Sequence, residues 1–140
     1  MTLITQSEIE TEEEGEKLGK SLTPGTIIAL YGSLGAGKTT FTRGIAKGMG
    51  IIEHISSPTF TIVNEYNGNI PLFHFDMYRI ENANDLYDIG WYDYLDRGGI
   101  CIVEWSENVP GAFPVDTITV HIETIGDNTR NIEIKTISKN

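Results

Sequence analysis

Apolar residues in this chain fall in short continuous runs and in two distinct periods. Thr26-Ile27-Ile28-Ala29-Leu30-Tyr31 is a continuous run behind Pro24-Gly25, which predicts a buried strand. Phe41, Ile45, Ala46 and Met49 then recur at helical spacing, and Gly50 supplies a stop. Ser7 followed by Glu10 is a capping-box start, so a helix is expected over about residues 7–21. Residues 61–66 and 71–78 read as strands joined by a turn at Asn67-Gly68-Asn69. Residues 84–89 predict a short helix with Leu86 and Ile89 inward, and 91–95 a second. Residues 99–105 form a strongly apolar strand that closes on Glu104. Residues 117–123 and 131–137 alternate apolar and polar positions around Gly126-Asp127-Asn128, which predicts a C-terminal β-hairpin. The order predicts one α/β domain over residues 1–140: a mixed sheet flanked by helices, with a strand–loop–helix unit early and antiparallel strands added.

Composition narrows the classes. A chain of 140 residues is long enough for one core and too short for two. No apolar run approaches a membrane span, and no N-terminal signal peptide is visible. The single cysteine, Cys101, lies in an apolar run and reads as a small core residue; one cysteine permits no internal disulfide, which suits the cytoplasm. The net charge of −10 argues against a large direct nucleic-acid footprint, which needs clustered lysine and arginine. It does not argue against a nucleotide, because a local field can outweigh distant surface charge. Part of the acidity is the run Glu8, Glu10, Glu12, Glu13, Glu14 and Glu16, read as a solvated helix face rather than a docking face for a basic partner.

The chemistry concentrates in Gly32-Ser33-Leu34-Gly35-Ala36-Gly37-Lys38-Thr39, which fits Gly-x-x-x-x-Gly-Lys-[Ser/Thr] at every fixed position. Glycines let the backbone curl into a nest of inward N–H groups, and the helix that follows turns its positive end to the anion. Lys38 can reach the β- and γ-phosphates, and the Thr39 hydroxyl can ligate Mg²⁺ held on them. Such a loop needs a second acidic group. Glu104, at the end of an apolar strand, and Asp76, after His74-Phe75, are the candidates for metal ligand and water activator, and their roles stay interchangeable at this level. Asp76 can equally pair with Arg79. Thr59 reads either as a γ-phosphate-sensing hydroxyl or as a turn residue, and Trp105 as a core filler rather than a contact. His54, His74 and His121 show no zinc spacing with Cys101.

Several segments together carry a resemblance. The phosphate loop through Thr40-Phe41, Ser57-Pro58-Thr59-Phe60-Thr61, Asn64-Glu65-Tyr66, His74-Phe75-Asp76-Met77-Tyr78-Arg79 and Val103-Glu104-Trp105 occur in that order. In this the chain resembles the bacterial tRNA threonylcarbamoyladenosine biosynthesis ATPase family TsaE, also called YjeE. The resemblance implies a P-loop NTPase-like fold and a small ATPase, slow without partners, that supports threonylcarbamoyl transfer to an anticodon-loop adenosine. It implies partners of the TsaD and TsaB types, namely the transferase subunit and its accessory subunit. tRNA is then reached only through that complex, with no membrane involved. By position, Gly35, Ala36, Gly37, Lys38, Thr39 and Thr40 would hold the phosphates of ATP, and Thr39 and Glu104 the Mg²⁺. Lys38, Asp76 and Glu104 would carry catalysis, and Thr11 and Arg130 would lie near the nucleoside. The family usually has Asp where this chain has Ser33, and often Pro where it has Ser106. A small-molecule kinase and a nucleotide-gated interaction module without significant turnover are the competing readings of the same loop. The absence of an arginine-rich lid weakens the kinase, and the absence of Asn-Lys-x-Asp disfavours guanine.

Overall fold

The computed structural model describes residues 1–33, 35–58 and 61–137. Seven strands form one sheet: β1 (Thr2–Thr5), β2 (Ile27–Tyr31), β3 (Val63–Tyr66), β4 (Leu72–Asp76), β5 (Ile100–Glu104), β6 (Ile118–Thr124) and β7 (Arg130–Thr136). Their order is β1-β7-β6-β2-β5-β4-β3. β2 is central and runs parallel to β5 on one side and β6 on the other, and β4 runs parallel to β5. β3 closes one edge antiparallel to β4, through the hairpin expected at Asn67-Gly68. β7 pairs antiparallel with β6, as the C-terminal alternation predicts, and β1 adds itself outside β7.

The helices are α1 (Glu8–Lys20), α2 (Lys38–Gly48), α3 (Ala83–Asp88) and α4 (Trp91–Leu95). Ser7 caps α1 by accepting the Glu10 N–H, and Gln6 N–H in turn donates to Glu10, so the capping box forms as read. Gly50, at φ +81°, ends α2. The strand pleat separates two cores. Ile28, Leu30, Ile100, Ile102, Val120 and Ile132 pack with Phe41 and Ile45 beneath α2. Ile27, Phe73, Phe75 and Val103 pack with Leu86 and Trp91 on the opposite face. β2 and β5 are therefore buried on both sides, which is why their sequences are runs rather than alternations.

α1 lies directly on α2 along a seam of glycines. A Cβ on Gly15 would stand 2.4 Å from the Phe41 carbonyl oxygen, on Gly19 2.2 Å from that of Ile45, and on Gly44 2.0 Å from that of Glu12. Backbone meets backbone there, and no side chain fits between. Arg43 and Lys47 reach across to Glu8, Glu12 and Glu16, so part of the acidic run on α1 is neutralised by α2.

Candidate functional site

β2 delivers the chain to the glycine loop, and the loop turns it into α2. Gly35 (φ +79°) and Gly37 (φ +101°) take left-handed backbone that other residues rarely adopt. Gly37 is the N-cap of α2 and has no side chain to cap the first-turn N–H groups, which carry the positive end of the helix dipole. Lys38 opens the helix only 6% exposed. Among the described residues its ammonium forms no ion pair, and its recorded partner is the face of Trp105, 5.0 Å from the ring centroid.

Gly35, Gly37, Lys38, Thr39, Thr40, Ser57, Asp76, Glu104 and Trp105 line one cleft of about 380 Å³. The sheet explains why two acids meet there. Asp76 and Glu104 end neighbouring parallel strands in register with one another. Leu72, four residues before Asp76, and Ile102, two before Glu104, belong to the core beneath α2, so both carboxylates stand on the α2 side. Both are only 7% exposed. Burial, then the neighbouring Glu104, push the Asp76 carboxyl above its ordinary value, against the opposing pull of the Tyr78 N–H, His74 and Lys38. Asp76 Oδ1 accepts from the Tyr78 N–H at 2.8 Å, a turn-forming bond that fixes the acid at the strand end.

Trp105 follows Glu104 in left-handed backbone, φ +59°. The kink ends β5 and folds the indole back over Lys38, with Tyr78 against its ring at 4.9 Å. Trp105 also packs on the second core, so it is filler and cleft wall at once. Ser106, at the position where the family often has proline, donates its buried hydroxyl to the Val103 carbonyl at 2.8 Å. Ser33 is exposed, and its carbonyl accepts from Ala36 N–H at 3.1 Å, closing the loop's turn. Thr59 lies outside the described residues.

A second cleft of about 180 Å³ opens on the other side of the loop, lined by Glu8, Thr11, Gly35, Gly37, Thr40, Asn128 and Arg130. Thr11 and Arg130 thus come together here from α1 and β7. The Thr11 hydroxyl is taken by Thr5 at 2.7 Å, and its methyl faces Gly37. Arg130 Nε donates to the Ala36 carbonyl at 3.0 Å, and its Nη1 to carbonyls of the β6–β7 turn. Arg130 braces the loop from the far end of the sequence. Glu8, Asn128 and Ser57 carry no site signal of their own in sequence, as members of an acidic run, a turn and a motif segment; the fold brings them to the clefts.

The donor set fits Mg²⁺. Thr39 and Glu104 offer hard oxygen ligands at the head of one cleft. Among the described residues no group of three or more histidine, cysteine, aspartate or glutamate side chains gathers to hold a metal alone. A divalent ion would need phosphate oxygens and water to complete its shell, which is the habit of magnesium.

A central parallel strand, a left-handed glycine loop, a buried lysine at an uncapped helix start and an acid at the end of the adjacent strand define a P-loop NTPase-like α/β protein. The model of the family described as threonylcarbamoyl adenosine biosynthesis protein TsaE matches residues 5–132, and the chain belongs to that family. A relative from Treponema pallidum is 37% identical over 96% of this chain and 99% of its own length. One from Bacillus subtilis is 44% identical over 78% of this chain and 68% of its own. Both are named tRNA threonylcarbamoyladenosine biosynthesis protein TsaE. The crystal structure of Bacillus subtilis YdiB superimposes with a TM-score of 0.82 at 34% identity, covering 99% of this chain and 86% of that one.

Proposed function

We propose that this protein is an Mg²⁺-dependent ATPase that serves tRNA threonylcarbamoyladenosine formation, sustaining turnover of a cytoplasmic threonylcarbamoyl transferase complex. The observation that carries the catalytic part is a buried Lys38, in no ion pair among the described residues, at a helix start with a glycine N-cap and in one cleft with Asp76 and Glu104. A desolvated cation with no carboxylate partner is a site built for an anion. The relatives' names support the pathway, and the net charge of −10 supports contact with tRNA through TsaD- and TsaB-type partners rather than directly.

In this reading the loop amides and Lys38 hold the β- and γ-phosphates, and Thr40 closes the loop side. Thr39 and Glu104 would hold a magnesium ion, which when bound would supply charge neutralisation to the phosphoryl group. The Asp76 carboxylate, fixed by the Tyr78 N–H and made more basic by its burial, orients the attacking water or receives its proton. Water adds to the γ-phosphorus as the bond to the ADP oxygen breaks, giving ADP and inorganic phosphate. Trp105 covers Lys38 and limits access of bulk water.

Phosphate release with MgATP and no acceptor is the first test, and release only on adding a phosphate acceptor would instead indicate a kinase. Glu104→Gln should still bind ATP, yet release little phosphate and fail to restore modified adenosine in a strain lacking the protein. Full modification without turnover would replace hydrolysis by nucleotide-gated binding.

A further inference from the structure

One buried polar group beside the site takes no part in the chemistry above. His74 lies on β4, opposite Ile102 of β5 and one step deeper than the Asp76–Glu104 pair. It is fully buried. Its Nε2 stands 2.6 Å from Glu104 Oε2, and its Nδ1 has no hydrogen-bond partner among the described residues. The first contact assigns the proton. A carboxylate oxygen can only accept, so the ring nitrogen that faces it carries a hydrogen, and Nε2 donates to Oε2. The other oxygen of Glu104, Oε1, accepts no hydrogen bond from the described residues, although Glu104 lines the phosphate cleft.

We propose that His74 is a positioning residue: its Nε2–H holds one oxygen of Glu104 so that the other is presented to the metal. The proposal rests on the ATPase reading given above and adds a named residue to it. The physical need is specific. A glutamate has three side-chain torsions and here ends a strand beside a second buried acid, Asp76. Without a donor from below, electrostatic repulsion from Asp76 and rotamer freedom both carry the carboxylate away from one orientation. A ring donor rooted in the middle of a buried strand, and therefore immobile, removes that freedom. Outer partners of this kind tune a metal ligand without touching the metal, and losing one costs about 10–100-fold in affinity or activity. Leucine, valine or isoleucine would suit a strand interior better than a histidine with an orphaned nitrogen, so the placement asks for a function.

The test compares binding of a nonhydrolysable ATP analogue by calorimetry in EDTA and in Mg²⁺, alongside kcat. In the wild-type chain Mg²⁺ should tighten binding. His74→Gln carries an amide N–H to nearly the position of Nε2 and should keep the Mg²⁺ increment and kcat within about threefold. His74→Asn, whose amide is too short to reach Glu104, and His74→Leu should lose the increment and about 10-fold or more in kcat while binding in EDTA stays unchanged. Comparison of the two amide variants keeps the question open to refutation even where leucine impairs folding. Equal Mg²⁺ increments in wild type, His74→Asn and His74→Gln would overturn the positioning role alone. A wild-type chain that binds no nucleotide, with or without metal, would overturn the ATPase reading and this proposal with it.

Discussion

Gly44→Ala puts the seam between α1 and α2 to the test, because two effects of opposite sign compete there. Gly44 lies inside α2, and alanine would gain about 1 kcal/mol of helix propensity over glycine on an exposed face. The added Cβ, however, would stand 2.0 Å from the Glu12 carbonyl oxygen, where contacts under 3.0 Å essentially never occur. The helices must part by at least 1.0 Å, the difference between those two distances, and backbone atoms cannot rotate out of the way. A gap of that size forfeits about a quarter to a half of each dispersion contact along the interface. Overpacking costs about 1–3 kcal/mol, and backbone on both sides of the contact puts this site at the upper end, so a net loss of about 2 kcal/mol remains after the propensity gain. The consequence reaches the site. Thr11 and Glu8 ride on α1 and line the cleft beside Gly37, so displacing α1 widens that cleft without altering any loop residue. Urea unfolding should show the loss of stability, and calorimetry should show ATP affinity falling several-fold. Gly111→Ala, where a Cβ meets nothing within 4 Å, is the control and should be nearly neutral. A Gly44→Ala protein as stable as the wild type, with unchanged ATP affinity, would refute both the packing argument and the link from seam to cleft.

Three further outcomes follow from single groups. Lys38→Met keeps the buried stem and removes the unpaired charge, so the nucleotide-free protein should unfold at the same or higher urea concentration while ATP affinity drops by at least about 2 kcal/mol, roughly 30-fold; unchanged affinity in calorimetry counts against the site. Asp76 has a folded-state pKa raised above its ordinary 3.8, so its ionised form weighs against folding; that cost is absent below the unfolded value and grows as pH rises through the folded one. Asp76→Asn should therefore be more stable than wild type at pH 7, with the gain vanishing on acidification below 3.8, while turnover falls; a variant less stable at pH 7 contradicts this. Burial pushes the Cys101 thiol up to about 12, so it should resist a disulfide reagent at pH 8 until urea unfolds the chain, and rapid labelling of the native protein would contradict the buried strand.

Much of this architecture is legible because the physics that makes it is local. Two buried central strands read as apolar runs, α2 as a helical repeat, and the C-terminal hairpin as alternation around a glycine turn. The loop's chemistry is carried by contiguous residues, so Lys38 and Thr39 could be named outright. Glu104 and Asp76 could be nominated because strand ends collect ligands, but their juxtaposition depends on a register that no local pattern encodes. β1 escaped notice because four residues show no period, and it exists only because β7 offers an edge. Trp105 read as filler because nothing in its sequence neighbourhood announces left-handed backbone at a tryptophan. His74 was visible as part of a motif, yet its partner is 30 residues away and appears only when β4 lies beside β5. Thr11 lines the cleft beside Gly37, but its hydroxyl is claimed by Thr5, a pairing that follows from β1 and is unreadable for the same reason.

The loop is held from both of its sides, and the two grips come from different parts of the chain. On the side of the larger cleft the ends of β4 and β5 supply acids and an indole, all within one parallel pair beside β2. On the other side the grip is built from the two ends of the sequence. β1 pairs with β7, Thr5 bonds Thr11, and Arg130 bonds the Ala36 carbonyl inside the loop. Gly35, Gly37 and Thr40 line both clefts, so the loop is their common wall. A backbone made of glycine in left-handed conformation gains little order from its own side chains and must be shaped by neighbours. Terminal strands that frayed would release Arg130 and Thr11 together and leave the nest to fluctuate, even with every loop residue intact. In a domain of this size the loop keeps its shape because β1 and β7, the outer strands on that side of the sheet, brace its second wall.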